Sequence, residues 1–232
     1  MSDNFLRQVY LFAGLPADVL EVLAGRMRRR RYPEDAPIVY RGDRSEALYV
    51  ILSGRVKVHQ ATASGDDVIL KIMGAGDYFG EMALLEHEPR SADVTTIEPS
   101  ELAQMDGDDL RRVMEEQPAV AWALLRNLSQ KVREQNETIE MLATRDVAGR
   151  VAATLLRLAA SQGTALPPDN KRVRIEANLT QSDIASIVGA TRERVSRALS
   201  SFAKQGAILW DKGGKRWIIC NQSALRKRAD MA

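Results

Sequence analysis

The spacing of apolar and polar residues changes along the chain and divides it into segments. Over residues 12–27 apolar side chains recur at helical spacing, with Pro16 near the predicted helix start. Over residues 31–105 short apolar runs alternate with glycine-containing turns, which is typical of a small β-barrel or β-roll. Helical spacing returns near residue 107, so this part of the chain predicts an α+β fold. The predicted turns are Gly42-Asp43, Ser53-Gly54, Ser64-Gly65-Asp66 and Gly74-Ala75-Gly76-Asp77.

A narrow apolar seam runs along the helix predicted after Pro118. Its positions are separated by 3, 4, 3, 4 and 3 residues, the a/d spacing that pairs two long helices. A helix buried in a monomer usually shows a wider apolar stripe, so the seam favours a coiled-coil homodimer. The alternative is an amphipathic helix that packs only on its own barrel. The seam consists of Leu125, Leu128, Val132, Gln135, Ile139 and Leu142.

The C-terminal third has the pattern of a helix-turn-helix. A connection at residues 143–146 precedes a helix over residues 147–160, for which Asp146 is a suitable N-cap, and residues 161–170 predict a loop. Thr180 caps a further helix, with Asp183 in the capping-box position. Gly189 supplies the turn, and Thr191 caps the second helix of the motif.

The exposed face of that second helix carries side chains that suit DNA. An arginine fork pairs with guanine O6 and N7, and a glutamate accepts a hydrogen bond from cytosine N4. Arg194 and Lys204 are assigned to phosphates, which set affinity and not sequence preference. A two-helix corner with a solvated charged face is the alternative. The candidate DNA-binding residues are Thr180, Gln181, Thr191, Arg192, Glu193, Arg194, Ser196, Arg197 and Lys204.

A predicted hairpin and the charge distribution also support a DNA-binding helix-turn-helix in the C-terminal third. Two apolar runs, 208–210 and 217–219, flank a Lys212-Gly213-Gly214-Lys215 turn, which predicts a wing after the two helices. Residues 146–232 hold 15 Lys and Arg against 7 Asp and Glu, a net charge of +8, whereas residues 1–145 hold 18 against 24, a net charge of −6. A basic C-terminal segment that follows an acidic N-terminal one indicates a nucleic-acid partner. The alternative is an uneven solvated surface, which would give a similar charge distribution.

The predicted roll contains a candidate anion pocket between residues 76 and 91. Glycines there let the backbone approach a ligand closely, and backbone N–H groups at a helix start attract anions. Arg90 beside Ser91 supplies a charged fork and a hydroxyl that suit a phosphate, while Glu81 suits a sugar hydroxyl. A surface ion pair between Glu81 and Arg90 is the alternative.

Composition excludes several other functions. The single cysteine, Cys220, excludes an internal disulfide and a cysteine-rich metal cluster, and with only His59 and His87 no protein-built metal site is expected. The sequence shows no nucleophile–base constellation, metal-ligand spacing or P-loop, so we expect no catalytic residues and no enzyme. Since no apolar run approaches the roughly 20 residues of a membrane span, and the N-terminus does not resemble a signal peptide, a cytoplasmic protein is expected.

Two motifs resemble known families. Gly80-Glu81 followed by Pro89-Arg90-Ser91-Ala92 resembles the phosphate-binding cassette of cyclic-nucleotide-binding domains, and residues 179–197 resemble the cyclic-AMP receptor protein/Fnr family of bacterial transcription regulators. Residues 146–150 resemble the hinge that follows the dimerisation helix in this family. The resemblance implies a cyclic-nucleotide-binding β-roll domain (1–117), a dimerisation helix (118–145) and a winged helix-turn-helix domain (146–232).

The resemblance also implies ligands and partners. Gly80 and Glu81 would hold the ribose of cAMP, or of cGMP or another nucleotide, and Arg90 and Ser91 would hold its cyclic phosphate. A homodimer would read palindromic double-stranded DNA of the TGTGA…TCACA type through Arg192, Glu193 and Arg197. RNA polymerase would be its protein partner. Ser196 resembles the serine of the Fnr branch, which leaves the DNA site open.

One pair on the dimerisation helix departs from the family pattern. Nucleotide-responsive members carry Thr followed by Ser or Asn, which contact adenine, whereas this chain has Gln135 followed by Asn136. A glutamine amide both donates and accepts hydrogen bonds, so it suits an adenine edge, but it equally suits holding a coiled-coil register without ligand. The alternative function is therefore a regulator of the same fold that binds DNA without a cyclic nucleotide or responds to another effector. The iron–sulfur branch needs more cysteines than this chain has, and a haem branch would need His59 or His87.

Overall fold

The computed structural model describes residues 3–61, 67–168, 170–211 and 216–230. The chain forms two compact units, of which the first comprises residues 1–65 and 70–134 and the second residues 66–69 and 135–232. The predicted turns at 64–66 and 212–215 lie outside the described residues.

The first unit begins with short helices and continues mainly as β-structure. The 3₁₀ segments Asp3–Gln8 and Tyr10–Phe12 precede α1 (Ala17–Gly25). Helix α2 (Glu81–Glu86) lies between β6 and β7, and α3 (Gly107–Glu116) follows β8. The strands are β1 (Arg28–Tyr32), β2 (Pro37–Val39), β3 (Ala47–Ser53), β4 (Arg55–Ala61), β5 (Asp67–Gly74), β6 (Tyr78–Phe79), β7 (Asp93–Thr96) and β8 (Ser100–Asp106).

These strands form two sheets that enclose an apolar interior, as a β-roll requires. One sheet has the order β1-β8-β3-β6 and the other β2-β7-β4-β5. In the first sheet Arg28 lies opposite Gln104, and Ala47 lies opposite Asp106. Both sheets contribute to the interior cluster, which contains Val39, Ala47, Tyr49, Ile51, Val56, Met73, Phe79, Val94 and Leu102.

Strand β3 is buried on both of its faces, which explains its continuous apolar sequence. Tyr49 and Ile51 point into the roll, whereas Leu48 and Val50 belong to a second core cluster on the opposite face of the sheet. A strand covered on both faces shows an apolar run where a half-exposed strand would alternate. That second cluster is completed by the N-terminal helices, α3 and the first turns of the next helix.

The next helix, α4 (Pro118–Thr144), confirms the long helix predicted after Pro118. Its buried residues at Val120, Ala123 and Leu124 belong to the second core cluster of the first unit. The beginning of α4 therefore packs on its own domain mainly through residues outside the predicted seam, together with the seam residue Leu128, which is partly buried there.

The second unit combines helices with a small sheet of order β11-β12-β10-β9. Its helices are α5 (Val147–Gln162), α6 (Gln181–Val188), α7 (Arg192–Lys204) and α8 (Gln222–Asp230). Its strands are β9 (Gly163–Leu166), β10 (Arg172–Ile175), β11 (Ile208–Asp211) and β12 (Arg216–Ile219). The predicted helix-turn-helix and the strands of the predicted wing are confirmed.

Three elements of the second unit, β9, β10 and α8, were not predicted. The expected loop over residues 161–170 contains β9, because this segment pairs antiparallel with β10. Helix α8 contacts α5 and has only two fully buried apolar residues, Leu225 and Ala229, spaced one turn apart. Contacts with other segments therefore stabilise these elements, whose own sequences carry a weak signal.

The predicted helix caps are largely confirmed. Gly149 N donates to Asp146 Oδ1 at 2.8 Å, and Asp146 also pairs with Arg228 of α8. Asp183 N donates to Thr180 Oγ1 at 3.1 Å while Thr180 N donates to Asp183 Oδ2 at 2.8 Å, which completes the capping box. Thr191 occupies the N-cap of α7, but its side chain makes no capping hydrogen bond.

The turn between β3 and β4 gives a stability prediction. Gly54 has φ +82°, and a Cβ there would lie 2.2 Å from Ser100 Oγ and 2.6 Å from the Pro99 carbonyl oxygen. We expect Gly54→Ala to destabilise the first unit by about 3 kcal/mol or more, since it adds overlap to backbone strain. Urea unfolding followed by circular dichroism measures the loss.

Gly14→Ala is the matched control for this prediction. Gly14 has φ +85°, but nothing lies within 4 Å of its added Cβ. This variant should therefore lose only about 1 kcal/mol from backbone strain. Equal losses in the two variants would contradict the assigned overlap at Gly54.

Candidate ligand pocket and nucleic-acid interface

Gly80 creates the space at the start of α2 in which the Arg90 side chain lies. Its φ is +97°, and an added Cβ would lie 2.4 Å from both Ala47 O and Arg90 Nη1. Only glycine meets both requirements, a left-handed backbone and the absence of a side chain. The structure thus explains why the Gly80-Glu81 motif contains a glycine.

Arg90 is a buried cation that is bound only by neutral groups. Its residue exposure is 4%. Nε donates to Ser45 Oγ at 3.0 Å, Nη1 to Gly80 O at 3.1 Å and Nη2 to Ala47 O at 2.8 Å. Within the described part of the chain no carboxylate lies at ion-pair distance from it.

Burial has an electrostatic consequence for this guanidinium. Desolvation lowers the pKa of Arg90 from its ordinary value, although Tyr49, Glu81 and Asp43 act in the opposite direction. A buried charge without a counter-ion is costly, and an anion bound beside it would offset that cost. Three of the five N–H donors of a guanidinium bind the protein here, which leaves two for an anion.

Ser91 follows Arg90 in the turn before β7, and its side chain is exposed. The hydroxyl makes only a weak contact, 4.0 Å to Met82 Sδ. Its backbone carbonyl accepts a hydrogen bond from Gln60 Nε2 at 2.6 Å. The Ser91 hydroxyl is therefore accessible, one residue after the buried Arg90.

Glu81 is the first residue of α2 and is 5% exposed. The alternative of a surface ion pair with Arg90 is wrong, because the partner of Glu81 is Lys131 on α4, with 2.7 Å between Lys131 Nζ and Glu81 Oε1. The same ammonium lies 4.0 Å from the centroid of the Tyr78 ring. A buried carboxylate, a lysine and an aromatic ring thus form one cluster beside Gly80.

Sequence reasoning missed Lys131 and the groups that hold Arg90. Lys131 precedes Gln135 by four residues, so the two share a face of α4, and this spacing was an available signal. Ser45 and the Ala47 carbonyl carry no motif and could be found only from the fold. The structure places the remaining two predicted ligand residues, Gln135 and Asn136, on exposed positions of α4.

The predicted seam of α4 is largely exposed in this chain. Leu125 and Val132 are each 55% exposed, Ile139 63% and Leu142 44%, whereas Leu128 packs partly on the first unit. Trp122, at 65% exposure, adds a further apolar position three residues before Leu125. A row of apolar side chains that the chain itself leaves exposed is typical of an interface.

The candidate DNA-binding residues gather on the helix-turn-helix of α6 and α7. Gly189 ends α6 in a left-handed conformation with φ +62°. Helix α7 buries Val195, Ala198, Leu199 and Phe202 on its inner face. Thr191, Arg192, Glu193, Arg194, Arg197 and Lys204 are exposed, as is Thr180, while Ser196 and Gln181 are half-buried.

An aromatic pair lies within the wing, and one of its two tryptophans is hydrogen-bonded to the segment before the helix-turn-helix. Trp210 of β11 lies opposite Trp217 of β12, with ring centroids 4.6 Å apart. Trp217 Nε1 donates to the Leu179 carbonyl oxygen at 3.1 Å, just before α6. These contacts set the hairpin beside the beginning of the motif, where a groove of about 500 Å³ opens between Trp210, Trp217 and Gln181.

The two histidines have ordinary surroundings. A ring nitrogen of His59 lies 3.0 Å from Thr95 Oγ1, and His87 Nδ1 lies 3.2 Å from Glu46 Oε1. Over the described ranges no group of three or more His, Cys, Asp or Glu side chains is arranged to hold a metal ion. None of the helices in the part of the chain that the structure describes is long and apolar enough to span a membrane.

Family models match both halves of the chain. Residues 29–117 match a cyclic nucleotide-binding domain, and residues 149–228 match a Crp-like helix-turn-helix domain. The first segment contains Gly80 and Arg90, and the second contains α6 and α7.

Curated relatives resemble the chain over nearly its whole length. It is 34% identical over 227 residues to a CRP-like cAMP-activated global transcriptional regulator of Mycobacterium tuberculosis, which covers 98% of this chain and 99% of that protein. It is 32% identical over 198 residues to the cyclic AMP receptor protein of Thermus thermophilus, covering 85% of this chain and 87% of that one.

Solved structures share the fold. The c-di-GMP responsive global regulator CLP of Xanthomonas campestris matches with a TM-score of 0.74 and 24% identity, over 88% of this chain and 99% of that one. The catabolite activator protein of Thermus thermophilus matches with a TM-score of 0.54 and 29% identity, over 94% and 97%. With both domain models matched in order and a full-length relative at 34% identity, the chain belongs to the CRP family of cyclic-nucleotide-binding transcription regulators.

Proposed function

We propose that this chain is a homodimeric, sequence-specific DNA-binding regulator controlled by a cyclic nucleotide, with cAMP as its effector. The observation that carries the proposal is the Arg90 guanidinium, buried at 4% exposure and bound only by neutral acceptors. A cyclic phosphate is a monoanion of the right charge to neutralise it, and charge-assisted hydrogen bonds are the strong ones.

The ligand would contact two sides of the pocket. Arg90 and the accessible Ser91 hydroxyl would bind the cyclic phosphate, while Gly80 lets the backbone approach and Glu81 accepts from a ribose hydroxyl. Only one Glu81 oxygen, Oε1, is bonded to Lys131, which leaves the other for the sugar. Lys131 itself supplies a second cation beside the pocket.

The choice of cAMP rests on the relatives and on Gln135 and Asn136. Relatives named as cAMP-activated match the chain at 34% and 33% identity. A glutamine amide followed by an asparagine amide offers donors and acceptors that suit an adenine edge. A second candidate is a regulator that uses another effector or none, and Gln135 favours it, since a polar seam residue can hold the register of a dimer without ligand.

DNA reading would follow from the geometry of α7 in a dimer. Arg192, Glu193 and Arg197 would contact base edges of each half-site, with half-sites about 34 Å apart in a palindrome. The remaining candidates would bind phosphates or support the docking: Thr180, Gln181, Thr191, Arg194, Ser196 and Lys204. The nucleotide would shift a pre-existing equilibrium between two arrangements of the dimer, to the extent of its differential affinity for them.

The proposed organisation keeps the boundaries 1–117, 118–145 and 146–232 for the nucleotide-binding domain, the dimerisation helix and the DNA-binding domain. RNA polymerase is the proposed protein partner on promoter DNA. We place the protein in the cytoplasm, where both DNA and cyclic nucleotides are available to a bacterial regulator.

Calorimetric titration with cAMP and cGMP tests the pocket. We expect wild-type protein to bind cAMP in the micromolar range, and Arg90→Ala to lose at least about a hundredfold in affinity because a charged hydrogen-bonding partner is removed. Arg41→Ala is the control, since it removes an exposed arginine of the same domain. If neither nucleotide gives heat with wild-type protein, the second candidate function is favoured.

Sedimentation tests the dimer. We expect wild-type protein to sediment at twice the 25.7 kDa of one chain, and Ile139→Lys to weaken dimerisation by about a hundredfold, because it buries a charge in the seam. Val22→Lys, at an apolar residue of α1 that is 38% exposed, should leave the dimer intact. A dimer unaffected by Ile139→Lys would overturn the assigned interface.

Competition binding to a panel of duplexes tests the reading helix. Arg192→Ala should lose about 1–3 kcal/mol of discrimination at one base position. Lys204→Ala should weaken binding to all sequences alike and lower the salt slope by about 1. If Arg192→Ala keeps the full sequence preference, the assignment to the major groove is wrong.

A further inference from the structure

The Tyr78 hydroxyl is buried and makes no hydrogen bond in the described part of the structure. Tyr78 lies in β6, is 3% exposed and belongs to the core cluster shared with α4. Buried hydroxyls are normally hydrogen-bonded, since an unmade bond costs free energy. Phenylalanine would fill this space without that cost. The hydroxyl is therefore a free donor for a hydrogen bond in another state of the protein.

The charged groups around the ring indicate the acceptor of that hydrogen bond. Lys131 Nζ lies 4.0 Å from the ring centroid and 2.7 Å from Glu81 Oε1, so one ammonium contacts both the ring and the carboxylate. The carboxylates of Asp77 and Glu134 also raise the pKa of the Tyr78 hydroxyl. Both have other partners, since Asp77 accepts a hydrogen bond from Gly74 N and Glu134 pairs with Lys71. Glu81, in contrast, is paired with the same ammonium that contacts the Tyr78 ring.

Burial also keeps the hydroxyl in its donor form. Desolvation raises the pKa of Tyr78 well above its ordinary value, with Glu81 as the next cause. The group therefore stays protonated over the whole physiological range and can donate to a carboxylate. Tyr78 and Glu81 are separated by only Phe79 and Gly80, and the Lys131 ammonium contacts both the tyrosine ring and the carboxylate.

We propose that the Tyr78 hydroxyl replaces Lys131 as the partner of Glu81 when a nucleotide phosphate draws the ammonium away. This inference rests on the proposed nucleotide binding. Moving Lys131 would remove the ammonium from Glu81 Oε1, and the proposed ribose hydroxyl is neutral and binds only the other oxygen. A buried carboxylate that loses its counter-ion in this way is strongly unfavourable. A hydrogen bond from Tyr78 lowers that cost, so Tyr78 is a positioning residue for the ligand-bound state.

The exchange would also alter what holds α4 to the roll. In the described structure Lys131 links α4 to the first residue of α2 through Glu81. When the ammonium turns to the phosphate, that link passes through the ligand, while Glu81 stays satisfied within the roll. Nucleotide occupancy would thus be communicated to α4 at Lys131.

The variant Tyr78→Phe tests the exchange directly. We expect its affinity for cAMP to fall about fivefold, because the ligand-bound state loses one hydrogen bond. Its melting temperature without ligand should stay equal or rise, since the hydroxyl makes no bond there. Calorimetry and thermal unfolding give the two values, and Tyr40→Phe, at a tyrosine that is 57% exposed, should change neither.

The same substitution in a Lys131→Met background provides a test without nucleotide. There Glu81 lacks its ammonium, so the hydroxyl should already be bonded to it, and adding Tyr78→Phe should lower the melting temperature by about 2 °C. The sign of the Tyr78→Phe effect should therefore differ between the two backgrounds. A purely structural role of Tyr78 would give the same sign in both.

The outcomes separate this inference from the proposed function. Unchanged cAMP affinity in Tyr78→Phe, or a lowered melting temperature of that single variant, would overturn the exchange. So would the absence of any Tyr78→Phe effect in the Lys131→Met background. If wild-type protein binds no nucleotide, the proposed function fails together with the ligand-driven exchange, whereas nucleotide binding with unaltered Tyr78→Phe affinity contradicts only the inference.

Discussion

The burial of the Arg90 guanidinium is the constraint on which the proposed pocket depends. Its three bonds join the start of β3, the residue before α2 and its own turn before β7, so one side chain connects three segments of the roll. The backbone of Gly80 must be left-handed and free of a side chain for this to be possible. Because every acceptor is neutral, the positive charge stays available to an anion. The Arg90 guanidinium therefore both holds these segments together and provides the charge for the proposed ligand.

Helix α4 packs on its own domain with one set of residues and exposes an apolar seam with another. Val120, Ala123 and Leu124 pack on the first unit, while the seam remains exposed and suits a second copy of the chain. Lys131 adds a third role, since it neutralises the buried Glu81. In the proposed homodimer, one helix that carries a core face, an apolar seam and a cation beside the pocket would link the ligand to the dimer geometry by a physically simple route.

Much of the fold could be predicted because its signals are local. The capping box of Thr180 and Asp183 and the apolar face of α7 lie within single helices, so their spacing shows in the sequence. Strand β9 and helix α8 could not be predicted, because β9 is defined by pairing with β10, and α8 has only Leu225 and Ala229 fully buried. For the candidate site, Gly80, Glu81, Arg90 and Ser91 form a recognisable motif, whereas Lys131 is separated from Glu81 by 50 residues.

The sequence by itself determined which chemical groups are present and the local conformation of their segments, because helix periodicity, caps and glycine turns act over a few residues. It also determined the family, through two motifs in the expected order. Only the tertiary structure decided which groups meet. It gave Glu81 a lysine and not the neighbouring Arg90 as its partner. Among the residues that the structure describes, it left Arg90 without a counter-ion and the Tyr78 hydroxyl without a hydrogen bond. Burial and ion pairing depend on distances between residues far apart in the chain, and those distances are set only when the two sheets and α4 pack together.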